Sequence, residues 1–159
     1  MMKGRFEISD KYGVNNLLAV LNDPNTRTQW DTALDESKLI KRYSTNVLTK
    51  AYVVKIPMVF MNNRDFVEKQ IIFKYGNVFY VYGSSINDKF CPLRSGVTRG
   101  NAMLVASKIT HVGNKIVVET VSQIDFKFSL PNSVLGGKMA DGLNGYRTEL
   151  IAKLEKMKN

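Results

Sequence analysis

The stretch "RTQWD", Arg27 to Asp31, sets a guanidinium and a carboxylate four residues apart around the only tryptophan of the chain. On a helical turn that spacing brings the two charges to one face. Two readings are open. Exposed, the pair is an ordinary surface contact contributing about 0.2–0.5 kcal/mol. Half-buried beside a cavity, it is a binding site: a planar donor fork suited to phosphate oxygens, held in place by a carboxylate that keeps its charge partnered.

The other reactive residue types are sparse. His111, the single histidine, falls in a turn signal, where a bystander is expected rather than a general base. Cys91, the single cysteine, sits in "FCPL" with no histidine near it in sequence. It has no partner for an internal disulfide, which fits a reducing compartment. No group of residues has metal-ligand spacing, and no glycine-rich loop follows a strand into a helix. The carboxylates are few and mostly stand beside lysines in strand-like runs. The residues therefore point away from an enzyme, a metal and a cofactor.

A chain of 159 residues, 44% of them apolar, is the size of one domain with a real core. No apolar run nears the ~20 residues of a membrane helix, and "MMKGRFEISD" lacks the apolar stretch of a signal peptide. An intracellular protein, cytoplasmic or peripheral to an organelle membrane and not secreted, is expected. The formal charge of +9 attracts anions. The basic clusters "KLIKR" and "KLEKMK" are short, however, and no strand pattern interleaves aromatic and basic residues as a nucleic-acid platform would. A solvated basic face and an anionic membrane surface both fit the charge; nucleic acid does not.

The elements that must position these residues are legible in outline. After a possible strand "RFEIS", Val14, Leu17, Leu18 and Leu21 have the spacing of a short amphipathic helix, stopped at Asp23-Pro24. From about Glu36 to Asp125, β-branched and aromatic runs alternate with turn signals at Ser44–Asn46, Gly76-Asn77 and His111–Asn114. Successive hairpins of this kind predict an antiparallel meander of five or six long strands. After Leu130-Pro131, apolar residues recur from Leu135 through Met139, Leu143, Tyr146 and Leu150 to Met157, a helix of about seven turns opened by Pro131. Gly136, Gly137, Gly142 and Gly145 weaken its first half by about 1 kcal/mol each. That half either packs closely or moves.

Placed on these elements, four segments in order resemble the START domain, the steroidogenic-acute-regulatory-related lipid transfer module. They are "LNDPNTRTQWD" (21–31), "VVKIPMVFMNNRDFV" (53–67), "YGSSINDKFCPLRSGVTRG" (82–100) and "SQIDFKFSLP" (122–131). The resemblance runs from about Asn22 to the end. It implies an α+β helix-grip fold, a curved antiparallel sheet gripping a long C-terminal helix over an internal cavity. The whole of 1–159 is expected to form one such domain, short at its N-terminal end by a helix and one or two strands. An edge of the sheet would then stand open and invite a protein partner.

The resemblance also implies roles. Arg27 and Asp31 would form a buried pair at the deep end of a lipid cavity, meeting a phosphate or a hydroxyl. Tyr52 and Phe66 align with two positions of a choline-binding aromatic cage, and Met103 with the third. Gln70 stands where sterol-binding members can carry an arginine. Alternation puts Phe66, Glu68, Gln70 and Ile72 on one strand face, with Glu68 expected at the rim, where it needs no buried partner. Arg64 and Asp65 are expected to be structural. Leu135, Met139 and Leu143 would roof the cavity. Phe126 and Phe128, in place of the family's proline and glycine, suggest a stiffer lid or an apolar docking surface. Function follows as an expectation: binding or transfer of one amphipathic lipid, phospholipid or sterol-like, with peripheral contact to an anionic membrane. The alternative is a START-like structural or accessory subunit of a larger assembly that transfers no lipid.

Overall fold

The computed structural model describes residues 1–56, 58, 60–128 and 132–157, and for 132–140 the helical backbone alone. Among the described residues eight strands form one sheet: β1 (Met2–Ser9), β2 (Leu34–Ser44), β3 (Val47–Val54), β4 (Asn63–Tyr75), β5 (Val78–Ser85), β6 (Val97–Arg99), β7 (Asn101–Val112) and β8 (Lys115–Asp125). The order is β1-β8-β7-β5-β4-β3-β2, antiparallel throughout, with β6 alongside the start of β4 in parallel. Helix α1 (Val14–Leu21) follows β1, and α2 (Asn132–Lys156) ends the fold. The result is a curved sheet with a long C-terminal helix, an α+β helix-grip architecture.

The three hairpins fall where the turn signals put them: Ser44 pairs with Val47, Tyr75 with Val78 and Val112 with Lys115. Two features depart from a five- or six-strand meander. "RFEIS" belongs to β1, which lies beside the last strand, so the N-terminal run joins the sheet at its far end. The run from Gly96 to Thr110 breaks at Gly100 into β6 and β7. A Cβ at Gly100 would overlap the Phe66 ring, and the Gly100 N–H donates to the Asp65 carbonyl at 2.9 Å. Here the chain steps from parallel pairing with β4 to antiparallel pairing with β5 and β8, which only a residue without a side chain allows at this contact.

The core occupies one end of the concave face. Phe6 and Ile8 of β1, Ile109 of β7, and Ile116 and Val118 of β8 pack with Leu17 and Val20 of α1 and with Leu150 and Leu154 of α2. The C-terminal half of α2 is also held by polar clasps. Glu149 accepts from the Thr32 N–H and hydroxyl, Arg147 donates to the Glu7 carbonyl at 2.9 Å, and Glu155 meets Lys11 and Tyr12. Toward β3 and β4 the concave face turns polar, and there it encloses space.

Candidate functional site: a polar-ended cavity under the C-terminal helix

The "RTQWD" segment is shaped by the turn before it. Asp23 accepts from the Asn25 N–H at 3.1 Å and the Thr26 hydroxyl at 2.7 Å, Pro24 opens a 3-10 turn over Pro24–Gln29, and the Asp31 N–H donates back to the Arg27 carbonyl at 2.9 Å. This folds Arg27 onto Asp31, with Nε to Oδ2 at 2.8 Å. The guanidinium lies 4.5 Å from the Trp30 ring centre and 5.2 Å from that of Tyr146 on α2. Asp31 is buried, and only a fifth of the Arg27 side chain is exposed. The pair is therefore half-buried and not an exposed surface contact. Burial works against the Arg27 charge, but Tyr146 and the Asp31 carboxylate outweigh it and hold its pKa above the ordinary value.

Arg27 faces a cavity of about 200 Å³. Its apolar wall includes Phe6, Val81, Val105 and Val118, contributed by the inward positions of β1, β5, β7 and β8. At the other wall, the inward positions of β3 and β4 supply Lys50, Tyr52, Glu68 and Gln70. Lys50 Nζ lies 3.1 Å from Glu68 Oε1 and 2.6 Å from Gln70 Oε1. The Tyr52 hydroxyl donates to Glu68 Oε2 at 3.0 Å, and the Gln70 amide donates to Asn22 Oδ1 at 3.3 Å. Glu68 is 1% exposed. It does not stand at the rim as expected, because Lys50 and Tyr52 partner it in place. Burial, then the neighbouring Glu68 charge and the bond to it, push the Tyr52 phenol well above its usual pKa.

Of the expected site residues, Arg27, Tyr52 and Gln70 line this one cavity, and Asp31 stands behind Arg27. Phe66 packs flat on Tyr52, with ring centres 5.3 Å apart and planes at 19°, and its edge meets Phe126. Met103 sits at a bulge in β7, 45% exposed, and is not brought to the pair of rings. Leu143 lies against β1 where Gly4 leaves room for it. The side chains of Leu135 and Met139 lie outside the described residues, as does Pro131. Arg64 donates to the carbonyls of Phe126 and Asn62, and Asp65 forms a two-point pair with Arg99 at 3.0 and 2.8 Å. Both bind structural neighbours. Phe128 lies over the Arg64 guanidinium at 5.0 Å, so the two phenylalanines pack inward on this anchor. His111 is in β7, over half exposed, 3.6 Å from Asp10.

Sequence reasoning missed Lys50. The signal was there in part, since Lys50 alternates in phase with the buried Leu48 and with Tyr52. What pairs it with Glu68 is the β3–β4 register, and the irregular loop between those strands hides that register from the sequence.

Comparison with known proteins settles the family. The family model of the START domain matches residues 13–156. The chain belongs to the START family. Its fold matches that of human STARD10, with a TM-score of 0.80 and 22% identity over 97% of this chain and 62% of that one. It also matches human StAR-related lipid transfer protein 5, with a TM-score of 0.79 and 16% identity over 99% of this chain and 76% of that one. The Zhui aromatase/cyclase from Streptomyces sp. R1128 shares the fold more distantly, with a TM-score of 0.61 and 7% identity over 99% and 94% of the two chains. This START domain thus spans under two thirds of the STARD10 structure. No curated protein matches it. Among the described residues no helix is long and apolar enough to cross a membrane.

Proposed function

We propose that this START domain binds one amphipathic lipid, its tail along the apolar wall under α2 and its head at the Arg27–Asp31 and Lys50–Glu68 end. The observation that carries the reading is a cavity in the concave face with buried charges at one end and apolar strands at the other. A core without a ligand gains nothing from keeping Glu68 and Lys50 there, since well-packed apolar residues are commonly as stable as a buried pair. At about 200 Å³ the space is below the ~300–1,000 Å³ usual for ligand sites. Entry therefore requires α2 to shift, and its glycine-containing half is the part that gives. The reading is of a carrier without catalysis, metal or cofactor, acting inside the cell. It meets anionic membranes through its positive charge and through Phe60, Phe90 and Leu93, which are exposed on loops.

The test is intact mass spectrometry of the chain purified under native conditions, followed by lipid extraction. A stoichiometric lipid, lost in Arg27→Ala, supports the reading. A stable, empty monomer that takes up no offered lipid would falsify it. A second reading, an accessory subunit that transfers no lipid, is favoured by the outer face of the sheet. Tyr43, Ile71, Phe73 and Tyr82 are 39–47% exposed there, and among the described residues β1 has a strand neighbour on one side alone. A partner could cover either surface. An empty chain that is insoluble until a partner is co-expressed would favour that role.

A further inference from the structure

The polar end of the cavity holds two cations and two carboxylates, and each cation is already engaged. Arg27 is bound to Asp31 at 2.8 Å, and Lys50 to Glu68 at 3.1 Å. Both carboxylates are buried, at 4% and 1% exposure, so neither is neutralised by water. A phosphate or carboxylate head would add a negative charge beside two buried anions, with no unspent cation among the described lining residues to receive it. Such an uncompensated charge beside buried anions is disfavoured.

A quaternary ammonium is excluded for a different reason. It needs open aromatic faces. The Tyr52 face is covered by Phe66 at 5.3 Å, and the Arg27 guanidinium already lies over the Trp30 and Tyr146 rings. What remains are the Nη donors of Arg27, which bonds Asp31 through Nε and is already charge-paired by it, and neutral dipoles. The Tyr52 oxygen donates to Glu68 and keeps an acceptor site. Lys50 spends two of its three donors on Glu68 and Gln70. The hydroxyl of Ser107 lies on the facing wall. These groups suit an oxygen that accepts one hydrogen bond and donates another, with no charge of its own.

We infer, resting on the lipid-binding reading above, that the ligand of this cavity is an uncharged amphiphile with a hydroxyl-bearing head, and that phospholipids with charged heads are rejected. Gly83 fits this assignment, because a Cβ there would overlap the Glu68 carboxylate, so the backbone itself is cut back to keep that anion folded against Lys50. Glu68 sets the charge of the site to zero, and its removal changes the class of head accepted.

The experiment uses the full chain, incubated in turn with vesicles containing diacylglycerol, cholesterol, phosphatidylcholine or phosphatidic acid, with protein-bound lipid quantified after gel filtration. The expected result is retention of diacylglycerol or cholesterol at least about tenfold above both phospholipids. Glu68→Gln, which keeps the shape and leaves Lys50 unneutralised, is expected to gain phosphatidic acid by a similar factor. A native chain that retains phosphatidic acid or phosphatidylcholine as well as the neutral lipids overturns the inference while the lipid-binding reading stands. A native chain that retains none of the four overturns both. A Glu68→Gln variant that is folded by circular dichroism and still rejects phosphatidic acid sinks the charge argument. If that variant does not fold, Lys50→Gln replaces it. With the cavity made negative, it is expected to reject phosphatidic acid as the native chain does, and acceptance would again sink the argument.

Discussion

Gly83 and Glu68 share one space: the missing side chain of the first leaves room for the carboxylate of the second. The two lie on adjacent strands, Gly83 opposite Gln70 in the β4–β5 pairing, and the Glu68 carboxylate lies over Gly83, where the Lys50 ammonium reaches it from β3. Gly83→Ala is therefore expected to destabilise by about 1–3 kcal/mol, the usual range for overpacking a filled site. The backbone at Gly83 is ordinary strand, so conformational strain does not enter. Urea unfolding checks the loss, and the lipid retention described above is expected to fall with it. Unchanged stability would mean that Glu68 has another place to go.

Lys50 carries a separate expectation. Lys50→Met removes the cation and leaves a carboxylate at 1% exposure with the Tyr52 hydroxyl as its remaining partner. Breaking a buried pair from one side costs about 3–5 kcal/mol, whereas replacing both members by apolar residues is often neutral. The double variant Lys50→Met/Glu68→Met is accordingly expected to recover most of the single variant's loss. A double-mutant cycle read by denaturant midpoint decides it, and additive losses would show that the two charges do not depend on each other.

How much of this was legible beforehand depends on the range over which each feature is specified. The helices and hairpins rest on local signals. The spacing of Leu17 and Leu21, the Gly76-Asn77 turn and the seven-turn stripe after Pro131 each lie within a few residues, and α1, the β4–β5 hairpin and α2 follow them. The burial of Arg27 and Asp31 was left open by spacing alone and turned on the resemblance, because nothing within four residues says that Tyr146 will lie over the guanidinium. Lys50 opposite Glu68 depends on register across an irregular loop. β6 depends on a glycine whose role becomes clear only when the Phe66 ring is in place. Met103, aligned with a cage position by resemblance, stands at a bulge in β7. A one-residue irregularity of that kind re-aims a side chain and leaves little mark in the sequence.

Alkaline pH should reveal two half-buried tyrosines. Burial raises the Tyr52 and Tyr146 phenols above the ordinary value of 10.0 in the folded chain. The unfolded chain therefore releases those protons first. Between pH 10 and the folded values the native state holds more protons, so stability falls as pH rises and is fully present below pH 10. Each such group contributes a slope of up to about 1.4 kcal/mol per pH unit. Measuring unfolding free energy against pH, Tyr52→Phe is expected to flatten the alkaline limb by up to one proton. A limb unchanged by that substitution would mean that Tyr52 ionises in the native state.

Gly142 and Gly145 address the motion that ligand entry requires. Both lie in α2, and among the described residues a Cβ at either would meet nothing within 4 Å, so no described neighbour requires a glycine there. In a helix each costs about 1 kcal/mol against alanine. Their presence therefore weakens α2 just before the clasps at Arg147 and Glu149 begin. Gly142→Ala/Gly145→Ala should raise stability by about 1–2 kcal/mol, since each change replaces a helix-weakening glycine. If the first half of α2 must loosen to admit a lipid, the same variant should exchange lipid with vesicles several-fold more slowly while its equilibrium retention is preserved or improved. Thermal melting and a transfer time course on one preparation separate the two quantities. A more stable variant with unchanged transfer would place the entry route away from this helix.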